Sequence, residues 1–366
     1  MSRLRVGVIG CGLIAQVMHL HYLRELNELY ETVALCDVSE EVREACARDY
    51  GVRFTFADWR ELIAQPLDAV LILTSGSHAL IAIAALDAGK HVLTEKPMCF
   101  SVAEGHAMIA AAERAGKTLM VGYNKRYDPA YARFAEEARQ LAGVRLARIT
   151  TLESPFQPYV AHYRLHKSGG IAPDLAARFA EDNAARITAA IGHGDALARR
   201  AYHLVLLDSM VHEFNAIRGV LGEPDRLEYA NISETGLTMV LRFGTAECVI
   251  TWVDLPGIAR YQMDFSLYAP ERRVTLNFPS PFLRSAPTLL MLEGGEMDSA
   301  RAWATEETTA FAESFSRELV HFHECVVTGA PPVTSAHDAL RDIALCQSIV
   351  TAHRTRMPVE RPTNPA

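Results

Sequence analysis

"RVGVIGCGLIAQVMHLHYLREL", residues 5–26, decides how the rest of the chain is read. It opens as a short apolar strand (5–10), turns on glycine, and continues with helical spacing (13–26). Gly10, Gly12 and Ala15 form a G-x-G-x-x-A pattern between them. The first glycine permits a tight turn. The second lets backbone N–H groups approach a pyrophosphate, and the small third residue lets helix and strand pack closely. Gly10, Cys11, Gly12, Leu13 and Ile14 are therefore the expected cradle of a dinucleotide. The same residues imitate a secretion signal, with two arginines before an apolar patch. The apolar stretch before Cys11 falls short of the roughly 7–15 residues such a signal needs.

Working outward, the second strand, "TVALCD" (32–37), ends at Asp37, where a carboxylate meets both hydroxyls of an adenosine ribose. It would repel a 2′-phosphate, and Val38 and Ser39 follow it rather than arginine. NAD is the expected cofactor, ahead of NADP. "SEEVREACARDYG" (39–51) is a helix capped by Ser39 and closed by Gly51. "DAVLILTS" (68–75), "HVLTE" (91–95) and "TLMVGY" (118–123) are further apolar strands separated by helical patterns. Repeated βα units with nearly continuous apolar strands predict a doubly wound parallel sheet covered on both faces. Near residue 143 the character changes. "VRLARITTLES" (144–154) is strand-like, and residues 169–222 are mainly helical. From Leu227 to about Ala304, strands are broken by "ETG", "FGTAE", "APERR" and "EGGE", which predicts a largely antiparallel sheet. Two helices (310–329 and 336–356) close the pattern, and the tail 358–366 is expected to be loose. The α/β chain thus divides into a nucleotide-binding part, 1–124, and a substrate-binding part, 125–366, with helix 336–356 packing back on the first.

The 366 residues suffice for two separate cores. A formal charge of −8 gives no bulk attraction to nucleic acid or anionic membrane, and no apolar run reaches the roughly 18 residues of a membrane span. Seven scattered cysteines, odd in number and never in CxxC, suit reduced thiols in a cytosolic protein.

Ligands of doubly wound sheets sit beyond the carboxyl ends of the strands. That edge carries Thr74, Ser75 and His78 from "TSGSH" (74–78), and Glu95 and Lys96 from "HVLTEKPMCF" (91–100). Pro97 holds the backbone of Lys96 extended, which stiffens the point from which its side chain projects.

At these residues the chain resembles the Gfo/Idh/MocA oxidoreductases, the glucose–fructose oxidoreductase and inositol dehydrogenase group. The resemblance rests on "GVIGCGLIA" (7–15), "AGKHVLTEKP" (88–97), "VGYNKRYDPAY" (121–131) and the closing "ELVHFHECVVTGAPPVTSAHDALRDIALCQSIVTA" (318–352). It implies a Rossmann domain, then an α/β domain with a large open sheet, through which members pair as homodimers or homotetramers. It implies NAD(P) and no metal. It places the E-K-P lysine, here Lys96, beside nicotinamide and substrate, often before a cis proline. The family's Asp and His, four residues apart, fall on Asp208 and His212, and helical i,i+4 spacing puts both on one face. His212 is then the expected base, Lys96 holds and polarises the hydroxyl, and Asp208 orients them; the first two roles can be exchanged.

Asn124, Lys125 and Arg126 follow the sixth strand. Asn124 and Arg126 are expected near the cofactor, and Lys125 and Arg126 near the substrate. His162, Tyr163 and His166 are further substrate candidates. The chain departs from the family at Asn215, where many members have Asp, and in an added helical stretch, 171–200, read either as a wall or lid of the substrate pocket that admits a larger or glycosylated substrate, or as a solvated helical hairpin or subunit contact. "HFHE" (321–324) lacks the second cluster a metal site needs. The expected activity is hydride transfer between NAD and a ring secondary alcohol of a sugar, cyclitol or glycoside. The alternatives are an NAD-retaining glycoside hydrolase and a non-catalytic NAD sensor.

Overall fold

The computed structural model describes residues 3–355, and the tail 358–366 lies outside them. Six parallel strands form the first sheet: β1 Leu4–Ile9, β2 Tyr30–Cys36, β3 Phe54–Phe56, β4 Ala69–Ile72, β5 His91–Glu95 and β6 Leu119–Gly122. Their order is β3-β2-β1-β4-β5-β6. Chain direction across the sheet reverses between β1 and β4, so a crevice opens beyond the ends of those two strands. β4 and β6 are buried along their whole length, as helices on both faces require.

Local signals set the helix ends. Ser39 Oγ accepts the N–H of Val42, and Gly51 adopts a left-handed φ of 69° to close Glu40–Tyr50. The helix after the glycine turn departs from the expected regular pattern. Ala15–His19 is a π-helical turn, and α-helical geometry begins only at Leu20. The wider turn leaves Gln16 and His19 buried.

The second sheet has eight strands: β7 Leu146–Glu153, β8 Arg226–Ile232, β9 Gly236–Phe243, β10 Ala246–Asp254, β11 Gln262–Tyr268, β12 Arg272–Phe278, β13 Leu289–Gly295 and β14 Ala302–Thr308. The order β14-β13-β12-β11-β7-β10-β9-β8 places β7 in the middle, paired parallel to β10, while every other pair is antiparallel. One face is apolar and covered. Ile149, Ile250, Met239 and Phe265 point inward against Phe214 and Ile217 of helix Val211–Leu221. The other face carries half-buried Val240, Val249, Thr251 and Leu152.

The last segment ties the two sheets together. Thr334 and Ser335 pair with Met120 and Val121 at the edge of β6, which covers that edge. Helix Ala336–Thr355 then packs on helix Val102–Ala115, where Gly105 leaves room for Leu340, and on β8. Its Asp338 and Asp342 accept from Asn215 (2.7 and 2.8 Å) and Arg218 (3.0 and 2.5 Å) of helix Val211–Leu221.

Candidate active site

The glycine turn at the end of β1 is built for close approach. Gly10 has φ 97°, and a Cβ there would stand 2.7 Å from the carbonyl carbon of Leu73. A Cβ on Gly12 would meet nothing, because it faces open space. That space is a cleft of about 940 Å³, lined by Cys11, Gly12, Leu13, Asp37 and Ser39 on one side and by residues 156–171 on the other. Asp37 accepts from the N–H of Cys11 and of Ser39, both at 2.8 Å, so its carboxylate is held rigidly at the rim. Each oxygen keeps a further lone pair for a ribose hydroxyl. The turn, the cleft and the fixed acid fit a dinucleotide. Ile14, Thr74 and Ser75 stand on the same edge, Ser75 exposed. His78 does not reach it. It is fully buried, and its Nε2 lies 2.6 Å from the carbonyl oxygen of Thr74, so it shapes the loop from beneath.

Lys96 stands past the end of β5, before a cis proline bond. Its backbone N–H donates to Glu95 Oε2 at 3.0 Å, and Glu95 Oε1 lies 2.8 Å from His19 Nε2. Burial alone would raise the pKa of Glu95. The His19 hydrogen bond and the Lys96 charge outweigh it and hold the carboxyl below its ordinary value. The lysine Nζ donates to the main-chain oxygen of Asp208 at 2.5 Å and to its Oδ1 at 3.1 Å. Asp208 belongs to a π-helical stretch, Tyr202–Met210, which runs directly into the α-helix that carries His212. Short π-helical insertions recur at functional sites. The Asp208 carboxylate stays largely exposed, while His212 is half-buried with its ring edge-on to Tyr123, centroids 6.0 Å apart. Its Nδ1 is buried without a partner. Burial, then the charges of Lys125 and Lys96, push the imidazole well below its ordinary range, so it is neutral at pH 7.

Lys125 is buried over the ring of Phe278, 5.5 Å from its centroid. Burial brings it down to about 8, helped by Lys96 and opposed by Glu213. Glu213, next to His212, is fully buried. Thr151 Oγ1 donates to one of its oxygens at 2.6 Å, and the other has no partner. Burial raises it to about 7 against the effects of Thr151 and Lys125. The resulting cluster, Lys96, Lys125, Asp208, His212 and Glu213, can hold a hydroxyl and move a proton.

Four expected contacts lie elsewhere. Arg126 is held by Asn215, with bonds of 3.0 and 3.2 Å, and by Asp338 at 3.6 Å. Tyr163 and His166 line the dinucleotide cleft, and His162 packs on Tyr163 with ring centroids 3.9 Å apart. None of these three gathers around Lys96. Asn124 is buried and donates to Ser314 Oγ at 3.0 Å. Asn215, the departure from the family pattern, is spent on helix packing. Helix Pro173–Ile191, within the added stretch, rests on the nucleotide side through Arg186–Glu104, and Asn183 stands against Gly76. Among the described residues, no three His, Cys, Asp or Glu side chains gather as metal ligands.

His19, Gln16 and Glu213 escaped the sequence reading. The only signal for His19 was its place on a helix pattern whose π turn moved it.

Fold and site together define an oxidoreductase with an NAD-binding Rossmann half and an open-sheet half. Residues 4–123 match the oxidoreductase family with the NAD-binding Rossmann fold. The nucleotide-binding part of the chain, residues 4–123, is thus of the Gfo/Idh/MocA oxidoreductase type. It is 26% identical to a myo-inositol 2-dehydrogenase of Thermotoga maritima over 353 residues, 92% of each chain. It is 28% identical to a D-apiose dehydrogenase of Paraburkholderia graminis, covering 98% of this chain and 90% of that one. An aldose-aldose oxidoreductase from Caulobacter crescentus has the same fold, with TM-score 0.73 and 21% identity over 96% of this chain and 98% of its own.

Proposed function

We propose that this protein oxidises a ring secondary alcohol of a sugar, cyclitol or glycoside, with NAD as hydride acceptor. The observation that carries the reading is the lysine of the E-K-P turn. It is fixed from behind by Glu95 and His19 and directed at Asp208, beside a neutral His212. The relatives named for inositol and apiose dehydrogenation support the substrate class.

Gly10, Gly12 and Asp37 would hold the dinucleotide, whose nicotinamide supplies hydride acceptance when bound. Lys96 holds the substrate hydroxyl and polarises it. His212, uncharged and able to accept, takes the hydroxyl proton. Its Nδ1 is buried, so Nε2 is the nitrogen for the reaction. Asp208 keeps the Lys96 ammonium in place, and Lys125 meets a second polar group of the substrate.

The test is NADH formation over a panel of cyclitols, aldoses and glycosides, with wild type and Lys96→Met side by side and NAD binding measured separately. Activity in the wild type that the variant loses while still binding NAD supports the reading. Equal activity in both sinks it.

We infer further that two copies pair through the outer face of the second sheet, where Val240, Val249 and Leu152 lie half-buried on an otherwise uncovered surface. A Val249→Glu variant would then sediment as a monomer. The seven buried free thiols favour a reducing, cytoplasmic setting.

A further inference from the structure

The far wall of the dinucleotide cleft comes from beyond the first sheet, after β7. After β7, residues 156–171 cross in front of the glycine turn and run into helix Pro173–Ile191. They are docked at several points. Gln16, on the π turn after the glycine loop, donates Nε2 to Cys11 O at 2.8 Å and to His166 O at 3.0 Å. The His166 N–H returns a bond to Gln16 Oε1 at 2.8 Å. One side-chain amide thus pairs with a backbone as a strand neighbour would, directly behind the turn. The imidazole of His166 lies 2.7 Å from Asp49 Oδ2, at the end of helix Glu40–Tyr50. Tyr163 and Leu165 pack on the apolar cluster that includes Leu13 and Ile14. Tyr163 is also covered by Arg284, 4.3 Å above its ring, and accepts the Arg284 N–H at 3.1 Å. Between these anchors, Arg164 and Lys167 are exposed and line the cleft opposite Gly12 and Asp37.

We propose that residues 160–171 are a strap over the bound dinucleotide. Arg164 and Lys167 supply cationic contacts to its phosphates, and the Gln16–His166–Asp49 latch must open before the cofactor exchanges. The glycine turn offers the phosphates only N–H donors from one side, and the strap adds positive charge from the other. The inference rests on the dinucleotide site and is independent of which alcohol is oxidised.

Two measurements on the full-length protein test it without turnover. In the first, NADH release is followed by stopped-flow fluorescence on displacement with excess NAD. Gln16→Ala and His166→Ala should each release NADH roughly tenfold faster or more, with association changed far less. The double variant Arg164→Ala/Lys167→Ala should weaken NADH binding and flatten its salt dependence. Unchanged release in both latch variants would overturn the latch. If Gln16→Ala fails to fold, Gln16→Met, which removes the same bonds to the His166 backbone at similar volume, decides in its place. In the second, trypsin cleavage after Arg164 and Lys167 is timed with and without NAD. Slower cleavage with NAD supports the strap, and equal rates overturn it.

Discussion

Glu95 accepts the backbone N–H of Lys96, the residue next to it, with Oε2, while its Oε1 is held by His19. The acid of the E-K-P turn therefore aims the lysine from behind. Glu95→Ala would leave a buried imidazole nitrogen and a backbone N–H without an acceptor, at about 1–3 kcal/mol for each. We expect a lower melting temperature and a fall in kcat at least tenfold greater than any fall in NAD affinity. A loss of stability with kcat intact would make Glu95 a purely structural residue.

The pH dependence of kcat/KM should follow Lys125 rather than His212. His212 is neutral throughout the neutral range, so it gives no acid limb between about pH 6 and 8. Lys125 is charged below about 8 and loses its charge above. Activity that needs the ammonium should decline as pH rises past that value. Lys125→Arg should move the decline upward, since arginine stays protonated. A profile that stays level from pH 7 to 9.5 would remove Lys125 from the site.

Glu213 has a separate signature in stability. Its folded value, about 7, lies above its ordinary 4.5. Between those values the unfolded chain ionises and the folded one does not. The stabilisation is fully present below about 4.5 and is lost as pH rises to about 7, by up to roughly 3 kcal/mol. Glu213→Gln should flatten that decline in urea unfolding measured at pH 5 and pH 7.5. Parallel curves for the two proteins would contradict the assignment.

On the proposed reading, Asp37 sets the choice between dinucleotides. Arg43 Nη1 already lies 3.4 Å from the carbonyl oxygen of Asp37, so a cation is at hand once the carboxylate is gone. Asp37→Ser should weaken NAD binding about tenfold and tighten NADP, seen as crossing affinities in calorimetry. An unchanged ratio would mean that the ribose lies elsewhere in the cleft.

Strand periodicity and the glycine turn were legible because both are local, and they carry the five longer strands of the first sheet. That Asp37 would stand beside the glycine turn was legible for the same reason, as its position follows from the length of one βα unit. Lys96 and Asp208 are 112 residues apart, and no periodicity joins them, so their pairing was readable only through resemblance. His19 and Gln16 were not readable. A π turn has no residue signature here, and it decides which side chains of residues 15–19 turn inward. The course of residues 156–171 was also hidden. A loop without periodicity does not announce which wall it will line, so the sequence does not show that Tyr163 and His166 border the cleft beside the glycine turn. The partners of Arg126, Asn215 and Asp338, lie 89 and 212 positions later in the chain, so no local pattern announces them.

Thr334 and Ser335 complete the edge of β6, and Leu340 fills the space that Gly105 leaves open. Severing the chain after residue 124 would therefore not yield a self-sufficient nucleotide-binding piece. Its last strand would face water along one side, and the helix before it would show a bare apolar stripe. Grafting this Rossmann unit onto another catalytic half requires carrying residues 334–355 along with it.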